Sequence, residues 1–265
     1  MPKISVIVTT YNRPTALALV LQALANQQHS NFEVIVADDG STETTSQLIK
    51  QLSTPYSIQH IWQADQGFRA AKARNRAVMA TNSDYLIFLD GDCIPRADFI
   101  FKHYKLAEQG YFVVGNRVLL NEQFTQQIIQ TSEPIMTWSI NQWLLAYFQG
   151  KINRWSPLLN LPFIRKYCKQ TWQGVKTCNL AIWNKDFQQI NGFDEKFQGW
   201  GHEDADLAVR LLRSGIRRKN GRFAVPVLHL WHAEEEKNQN NVVCLEQILQ
   251  SDITIACKGI DQYKI

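Results

Sequence analysis

The sequence predicts an α/β fold in which a mostly parallel sheet carries helices on both faces. Three observations predict it. Apolar, largely β-branched runs at Ile4–Thr9, Glu33–Ala37 and Leu86–Leu89 have the length and composition of strands buried on both sides. Segments of helical character separate them, which is the alternation of a doubly wound sheet. Each run stops at a polar cluster, and an open parallel sheet presents its chemistry at the carboxyl ends of its strands. Those clusters are Thr10-Tyr-Asn-Arg-Pro14, Asp38-Asp-Gly-Ser41 and Asp90-Gly-Asp92.

Taken in order, the first strand leads into a helix that opens near Pro14, whose fixed φ suits the first helical position. Leu17, Val20, Leu21 and Leu24 give that helix one apolar face. The second strand runs into Asp38 and Asp39, a helix-like segment follows, and a third strand is expected around Ile58 to Trp62. Gln66-Gly67 then opens Phe68–Ala77, an Ala-rich basic segment suited to a helix. The central strand, Leu86–Leu89, ends at Asp90 and Asp92. A helix from Asp98 leads to a strand at Tyr111–Gly115.

There the character changes. No acidic residue occurs between Glu133 and Asp186, while Lys151, Arg154, Arg165, Lys166, Lys169 and Lys176 all do. Trp138, Trp143, Trp155 and Trp172 are interleaved with them. Met136, Ile140, Trp143, Leu144 and Tyr147 lie at helical spacing. Two readings stand: a core helix beside a solvated basic loop, or a basic aromatic face for an anionic acceptor or membrane surface.

Regular pattern resumes at Thr177–Trp183, then a short helix and Asn191-Gly-Phe-Asp194. Gly199-Trp-Gly-His-Glu-Asp-Ala-Asp206 leads into an amphipathic helix through Leu207–Leu212, with Glu203 and Asp204 in its first turn, where the helix dipole favours acids. Phe223–Leu228 is an apolar strand that delivers His229-Leu-Trp-His232, and the tail after Asn241 reads as a closing helix. The expectation is a single domain over 1–265: a ligand-binding half (1–116), an insertion (117–176), a catalytic half (177–240) and a helical tail (241–265).

Composition narrows the class. With 265 residues, 45% hydrophobic and 20% charged, the chain can bury an ample core. A net charge of +4 is too small to argue for nucleic acid. Five cysteines without a C-x-x-C spacing point to free thiols in a reducing compartment. A strand begins at Ile4 with no leader-like segment before it, and no apolar run approaches the ~20 residues of a membrane span. A cytoplasmic protein is expected, of unknown oligomeric state.

Asp90 and Asp92 carry the sharpest chemical signal. Carboxylates this close repel unless a cation sits nearby, and an oxygen-loving Mn²⁺ or Mg²⁺ held to a diphosphate is the simplest resident. The plain alternative is a strand end with solvated acids. The three strand-end clusters with the basic segment beside them make a nucleotide-sized constellation. Tyr11 can stack on a base, an acid can accept a base N–H, and cations can face phosphates. His229 and His232, three apart, either share a metal or are structural.

These residues together resemble the inverting GT-A glycosyltransferases of family 2. Thr9-Thr-Tyr-Asn12, Ala37-Asp-Asp-Gly-Ser-Thr42 and Asp90-Gly-Asp92 carry the general resemblance. Gly67-Phe-Arg-Ala-Ala-Lys-Ala-Arg-Asn75 is similar to bacterial chondroitin polymerases. Ile190-Asn-Gly-Phe-Asp194 through Gly199-Trp-Gly-His-Glu-Asp204 to His232 is similar to the carboxyl region of β-1,4-galactosyltransferases. The resemblance implies a Rossmann-like GT-A fold and metal-dependent transfer of a hexose or N-acetylhexosamine from a UDP-sugar to a glycan or glycolipid, in bacterial surface polysaccharide or lipopolysaccharide synthesis. It implies that Thr9, Tyr11 and Asp39, with Asp38 beside it, hold the uracil. Arg74 and Asn75 would lie near the ribose and diphosphate, Asp90 near the ribose, and Gly67 and Asn179 would join the donor-binding set. Asp92 and His232 would ligate Mn²⁺ (or Mg²⁺), with His229 standing where the galactosyltransferases have a methionine ligand. Asp204 would be the catalytic base, Glu203 would help hold donor or acceptor, and Trp200 would wall the sugar site. His202 stands where those enzymes have glycine.

Two rival readings remain. Leu86–Asp92 can open a phosphohydrolase of the haloacid-dehalogenase type, although three strand-like segments precede it. A silent sugar-nucleotide or glycan-binding module is the other, and it has no need of the Glu203–Asp204 pair.

Overall fold

The computed structural model describes residues 2–159, 161, 168–233, 236 and 238–263. Its main sheet has seven strands in the order β3-β2-β1-β4-β8-β6-β9. These are β1 (Ile4–Thr10), β2 (Phe32–Asp38), β3 (Ser57–Trp62), β4 (Tyr85–Asp90), β6 (Tyr111–Val114), β8 (Asn179–Trp183) and β9 (Arg217–Asn220). A three-stranded sheet, β5-β10-β7, is formed by β5 (Cys93–Pro95), β10 (Pro226–His229) and β7 (Asn116–Leu119).

The helices are α1 (Pro14–Ala25), α2 (Glu43–Gln51), α3 (Ala70–Met79), α4 (Phe99–Leu106), α5 (Glu122–Thr131), α6 (Ile140–Phe148), α7 (Asn184–Gln189), α8 (Glu203–Arg213) and α9 (Gln239–Leu249). Strand periodicity sorts the core into two layers. Val6 and Val8 of β1 and Ile87 and Leu89 of β4 face one layer, which α1, α5 and α6 complete. Ile7, Leu86 and Phe88 face the other, closed by α3, α7 and α8. The sheet is therefore covered by helices on both faces, as its apolar runs require.

The predicted strands and helices are present, with three differences. First, β8 runs antiparallel to both neighbours, β4 and β6, in an otherwise parallel sheet. Its amino-terminal flank, residues 176–178, thus reaches the edge where the other strands end. Second, β5, β7, β9 and α5 were not expected. Third, the helix expected from Met136 begins at Ile140, because Ser139 and Gln142 close a capping box there. Trp143 and Ala146 form its buried face, leaving Leu145 and Phe148 exposed, at 58% and 79%.

The 117–176 stretch shares the core of the amino half: Val118, Phe124, Ile128 and Trp143 pack in the same layer as Val6 and Leu17. Arg165 and Lys166, counted above among its basic residues, lie outside the described residues. All five cysteines are free, and no helix among the described residues is long and apolar enough to cross a membrane.

Candidate active site

Parallel register brings the strand-end clusters together. Thr9 pairs with Ala37 on one side and Asp90 on the other, and Thr10 pairs with Asp38. Gly91 follows because its amide donates to the Thr9 carbonyl at 2.7 Å, and a Cβ on Gly91 would lie 2.9 Å from that same oxygen. The close approach of β1 is what requires a glycine here.

The small sheet brings the histidines to the same place. β10 pairs antiparallel with β5, His229 opposite Cys93, and the Leu230 amide donates to the Asp92 carbonyl at 2.9 Å. His229 Nε2 then lies 3.7 Å from Asp92 Oδ1, and His232 Nε2 lies 3.3 Å from Asp92 Oδ2. One ligand atom from each of the three falls within 4.8 Å of the others. Two bonds of ~2.1 Å at right angles put donor atoms about 3 Å apart, so the spacing suits one divalent ion. A carboxylate with two imidazoles is a donor set that Mn²⁺ accepts. Burial pushes the His229 pKa down to about 4, which keeps its ring neutral and its lone pair available. Arg13 also reaches Asp92, Nη1 to Oδ2 at 2.6 Å, and supplies the positive charge that this carboxylate faces.

A cavity of about 690 Å³ joins these groups to the start of α8. Thr9, Tyr11, Asp39, Asp90 and Asp92, at the strand ends, line it together with Trp200, Glu203 and Asp204, at the start of α8. Arg74 ties the two groups together. Only 4% exposed, it donates from Nε to Thr9 Oγ1 (3.0 Å), from Nη1 to Glu203 Oε1 (3.1 Å) and from Nη2 to Asp90 Oδ1 (3.2 Å). Burial still raises the Asp90 pKa to about 6 against the pull of Arg74, with the charge of Asp92 adding to the rise.

Asp204, in the first turn of α8, lines the same cavity. Burial, then the neighbouring Glu203 charge, raise its pKa to about 6, opposed by Lys176 at 3.7 Å. Asp206, two residues on, is fully buried and holds Arg210 through both its oxygens, so it is no substitute for Asp204.

Four residues expected at the donor site lie elsewhere. Asp38 is 0% exposed; its carboxylate accepts from His60 Nε2 (2.8 Å) and the Ser41 amide (2.7 Å), and so fixes the turn after β2. Its neighbour Asp39 reaches the cavity instead, accepting from the Arg69 amide and Gln63 at 2.6 Å each. Asn75 is buried and binds the backbone of Phe193 and Glu195 Oε1, joining α3 to the Asn191–Asp194 turn. Asn179 is buried under β8 and donates to the carbonyls of Asn116 and Val225. Gly67 takes a left-handed φ of 83° outside the cavity, and Phe68 after it is the lining residue. The remaining expected residues all line the one cavity.

Arg13, Phe68, Arg117, Trp172, Lys176 and Trp231 also line it; of these, the sequence pointed to Trp172 and Lys176 alone, as part of the basic aromatic face weighed for an anionic acceptor or membrane surface. The antiparallel β8 is what brings Lys176 beside Asp204. Arg117 had no signal, being in a four-residue strand.

Comparison with known proteins places this arrangement. Residues 5–168 match the pattern described as glycosyl transferase family 2, and residues 163–232 match one described as the N-terminal domain of galactosyltransferase. The two matches meet at 163–168, within the stretch that separates the two groups of motifs. The chain is 29% identical over 229 residues to a hyaluronan synthase of Pasteurella multocida, covering 80% of this chain and 23% of that one. It is 28% identical over 223 residues to a chondroitin synthase of Escherichia coli, covering 80% and 32%. A validoxylamine A glucosyltransferase of Streptomyces hygroscopicus is 29% identical over 226 residues, covering 82% and 53%. The chain thus spans from about a quarter to about half the length of these relatives. Among solved structures, S. aureus TarS residues 1–349 with UDP-GlcNAc superposes with a TM-score of 0.67 at 15% identity, over 98% of this chain and 69% of that one. GalNAc-T7 with UDP, GalNAc and Mn²⁺ gives 0.63 at 13% identity, over 93% and 48%. These likenesses establish the GT-A fold, and the family match removes the phosphohydrolase reading of Asp90. With more than half of its length matching that pattern, the chain belongs to glycosyl transferase family 2.

Proposed function

We propose that the protein is a metal-dependent, inverting glycosyltransferase that moves a hexose or N-acetylhexosamine from a UDP-sugar to a glycan acceptor in bacterial surface polysaccharide or lipopolysaccharide synthesis. One observation carries this reading: Asp92, His229 and His232 converge on a cavity that Asp204 also lines. The names of the relatives, two bacterial polysaccharide synthases among them, and the UDP-GlcNAc or UDP with GalNAc held by the structural neighbours support it.

The nucleotide side falls to Thr9, Tyr11 and Asp39 for the base and Asp90 for the ribose. Asp92, His232 and His229 would hold Mn²⁺, which when bound supplies Lewis-acid stabilisation of the departing diphosphate. Arg74 keeps Asp90 and Glu203 at fixed places relative to each other and so holds donor and acceptor sides in register. Trp200 offers a flat apolar face for a sugar ring.

An acceptor hydroxyl is a poor nucleophile at neutral pH and needs a base within about 2.6–3.2 Å. Asp204 takes that proton as the hydroxyl oxygen bonds to the anomeric carbon and the bond from that carbon to the UDP oxygen breaks. Attack from the face opposite UDP inverts the anomeric centre, and no enzyme nucleophile takes part. A carboxylate with a pKa near 6 is ionised at neutral pH while remaining a stronger base than an exposed aspartate.

The direct test is a screen of sugar nucleotides for UDP release by protein stripped of divalent ions, with and without added Mn²⁺ and acceptor glycans. Release from UDP-sugars that requires Mn²⁺ is expected. Equal release after exhaustive chelation, or UDP binding without any turnover, would return the protein to a metal-free enzyme or a silent binder.

A further inference from the structure

Tyr11 and Asp39 are proposed for the base of the donor, and one loop holds them both. That loop, residues 63–69, joins β3 to α3. Its two ends close on Asp39: Gln63 Nε2 donates to Oδ1 and the Arg69 amide to Oδ2, each at 2.6 Å. Between those ends Asp65 turns to the other residue. The Tyr11 hydroxyl donates to Asp65 Oδ2 at 2.8 Å, while Asp65 Oδ1 accepts from the Gly67 amide at 3.1 Å. Tyr11, Asp39 and Phe68 line the cavity and Asp65 does not, so any effect of Asp65 on a ligand passes through Tyr11.

The backbone on both sides of this contact is fixed. Tyr11 follows β1 directly, and Asn12 after it takes a left-handed φ of 47°. The Asn12 amide donates to Ser41 Oγ at 2.8 Å, and Asn12 Oδ1 accepts from the Thr42 amide at 2.9 Å, which pins the turn carrying Tyr11 to the start of α2. On the loop side, the Arg69 guanidinium donates to Gln66 Oε1 at 2.7 Å and to the Ala64 carbonyl. Gly40, at a φ of 105°, lets the turn after β2 press on the loop: a Cβ there would lie 2.5 Å from Asp65 Cα. The Tyr11 side chain, 43% exposed, is the part with freedom left to lose when a base stacks on it. Its bond to Asp65 removes that freedom beforehand, and pre-ordering a side chain lowers the cost of binding.

We infer that Asp65 is a positioning residue for nucleotide binding, holding the Tyr11 ring where the base of the donor stacks. This rests on the glycosyl-transfer reading, in which Tyr11 faces the uracil. Water reaches the bond, so it adds little to folding stability. Its effect falls on nucleotide affinity.

The experiment is calorimetric titration of the full chain with UDP at saturating Mn²⁺. The proteins are the wild type, Asp65→Ala, Asp65→Asn, Tyr11→Phe and the double variant Asp65→Ala with Tyr11→Phe. Mn²⁺ affinity without nucleotide is measured on each. Asp65→Ala is expected to weaken UDP binding about three- to ten-fold, the scale of ordering one side chain. Tyr11→Phe, which keeps the ring and loses the hydroxyl, should lose a similar factor. The double variant should be no weaker than the weaker single one, since both remove the same bond. Asp65→Asn, whose amide oxygen still accepts from the hydroxyl, should stay closer to the wild type, and Mn²⁺ affinity should be the same in all five. Unchanged UDP affinity in Asp65→Ala overturns the inference. So do losses that multiply in the double variant, or a parallel loss of Mn²⁺ affinity, which would make Asp65 a general support of the fold. A wild type that binds no UDP with Mn²⁺ would instead sink the glycosyl-transfer reading itself.

Discussion

Asp204→Asn is expected to lower turnover by about 10²–10⁴, the usual contribution of a positioned base, while leaving UDP and Mn²⁺ affinity near normal. The substitution keeps the size of the side chain and the start of α8 but removes the proton acceptor. The residues proposed for metal and nucleotide lie on or just after other elements, β1, β2, β4 and β10, so their contacts should survive it. The wild type should also show an acid limb in kcat/KM near pH 6, because Asp204 acts only when ionised and its pKa is raised to about 6. Activity is then retained above that pH and lost as pH falls through it. Lys176, 3.7 Å away, favours the ionised form, so Lys176→Met should move the limb to higher pH. The shift will be small, since Lys176 is half exposed to solvent. Near-normal turnover in Asp204→Asn would leave Asp204 as a helix-start acid and turn attention to Glu203.

Arg74→Met should have the second large effect, and on stability as well as on rate. The side chain is buried, fills the space between two carboxylates, and holds Thr9 as well. Removing one partner of a buried ion pair costs about 3–5 kcal/mol when the remaining charge is left unmatched. That is a large part of the 5–15 kcal/mol typical of a folded domain. Proton uptake by Asp90, whose pKa is already raised to about 6, will recover some of it. A clear fall in the thermal midpoint and loss of transfer are expected, with Arg74→Lys intermediate because an ammonium cannot serve three acceptors in the guanidinium geometry. Unchanged stability and rate would mean that Arg74 does not join the two sides.

How far the sequence alone reached follows from which signals are periodic. β1, β2 and β4 were legible because buried parallel strands are apolar throughout, and their carboxyl ends announced the site. β5 and β7 are three and four residues long, too short to carry a pattern. β9 reads Arg-Arg-Lys-Asn and looks like a loop; it is a strand through its parallel pairing with β6, and its buried Lys219 is satisfied by the Leu106 carbonyl and Glu108. The direction of β8 has no signature in periodicity at all, and with it the arrival of Lys176 was hidden.

At the site, residue types were easier to find than their facing. Asp38 and Asp39 are neighbours at a strand end and so point to opposite sides. One holds His60, the other lines the cavity, and nothing in the pair of letters says which. Arg74 and Asn75 are successive on a helix, about 100° apart around its axis, so only one turns to the sheet edge. His229 and His232, by contrast, were correctly brought together, since an apolar strand aimed at that edge leaves little freedom at its end.

The most direct test of the whole arrangement is a Mn²⁺ titration followed by electron paramagnetic resonance, with and without UDP, on the wild type and on Asp92→Ala, His232→Ala and His229→Ala. Asp92 lies at a strand end, so its loss should leave the fold intact, as circular dichroism can check. If Asp92, His232 and His229 form one site on the donor side of the cavity, the wild type binds Mn²⁺ more tightly with UDP present. Asp92→Ala then loses most of that binding, and His232→Ala is weakened more than His229→Ala. Mn²⁺ affinity that is the same in all four proteins, or indifferent to UDP, would contradict it.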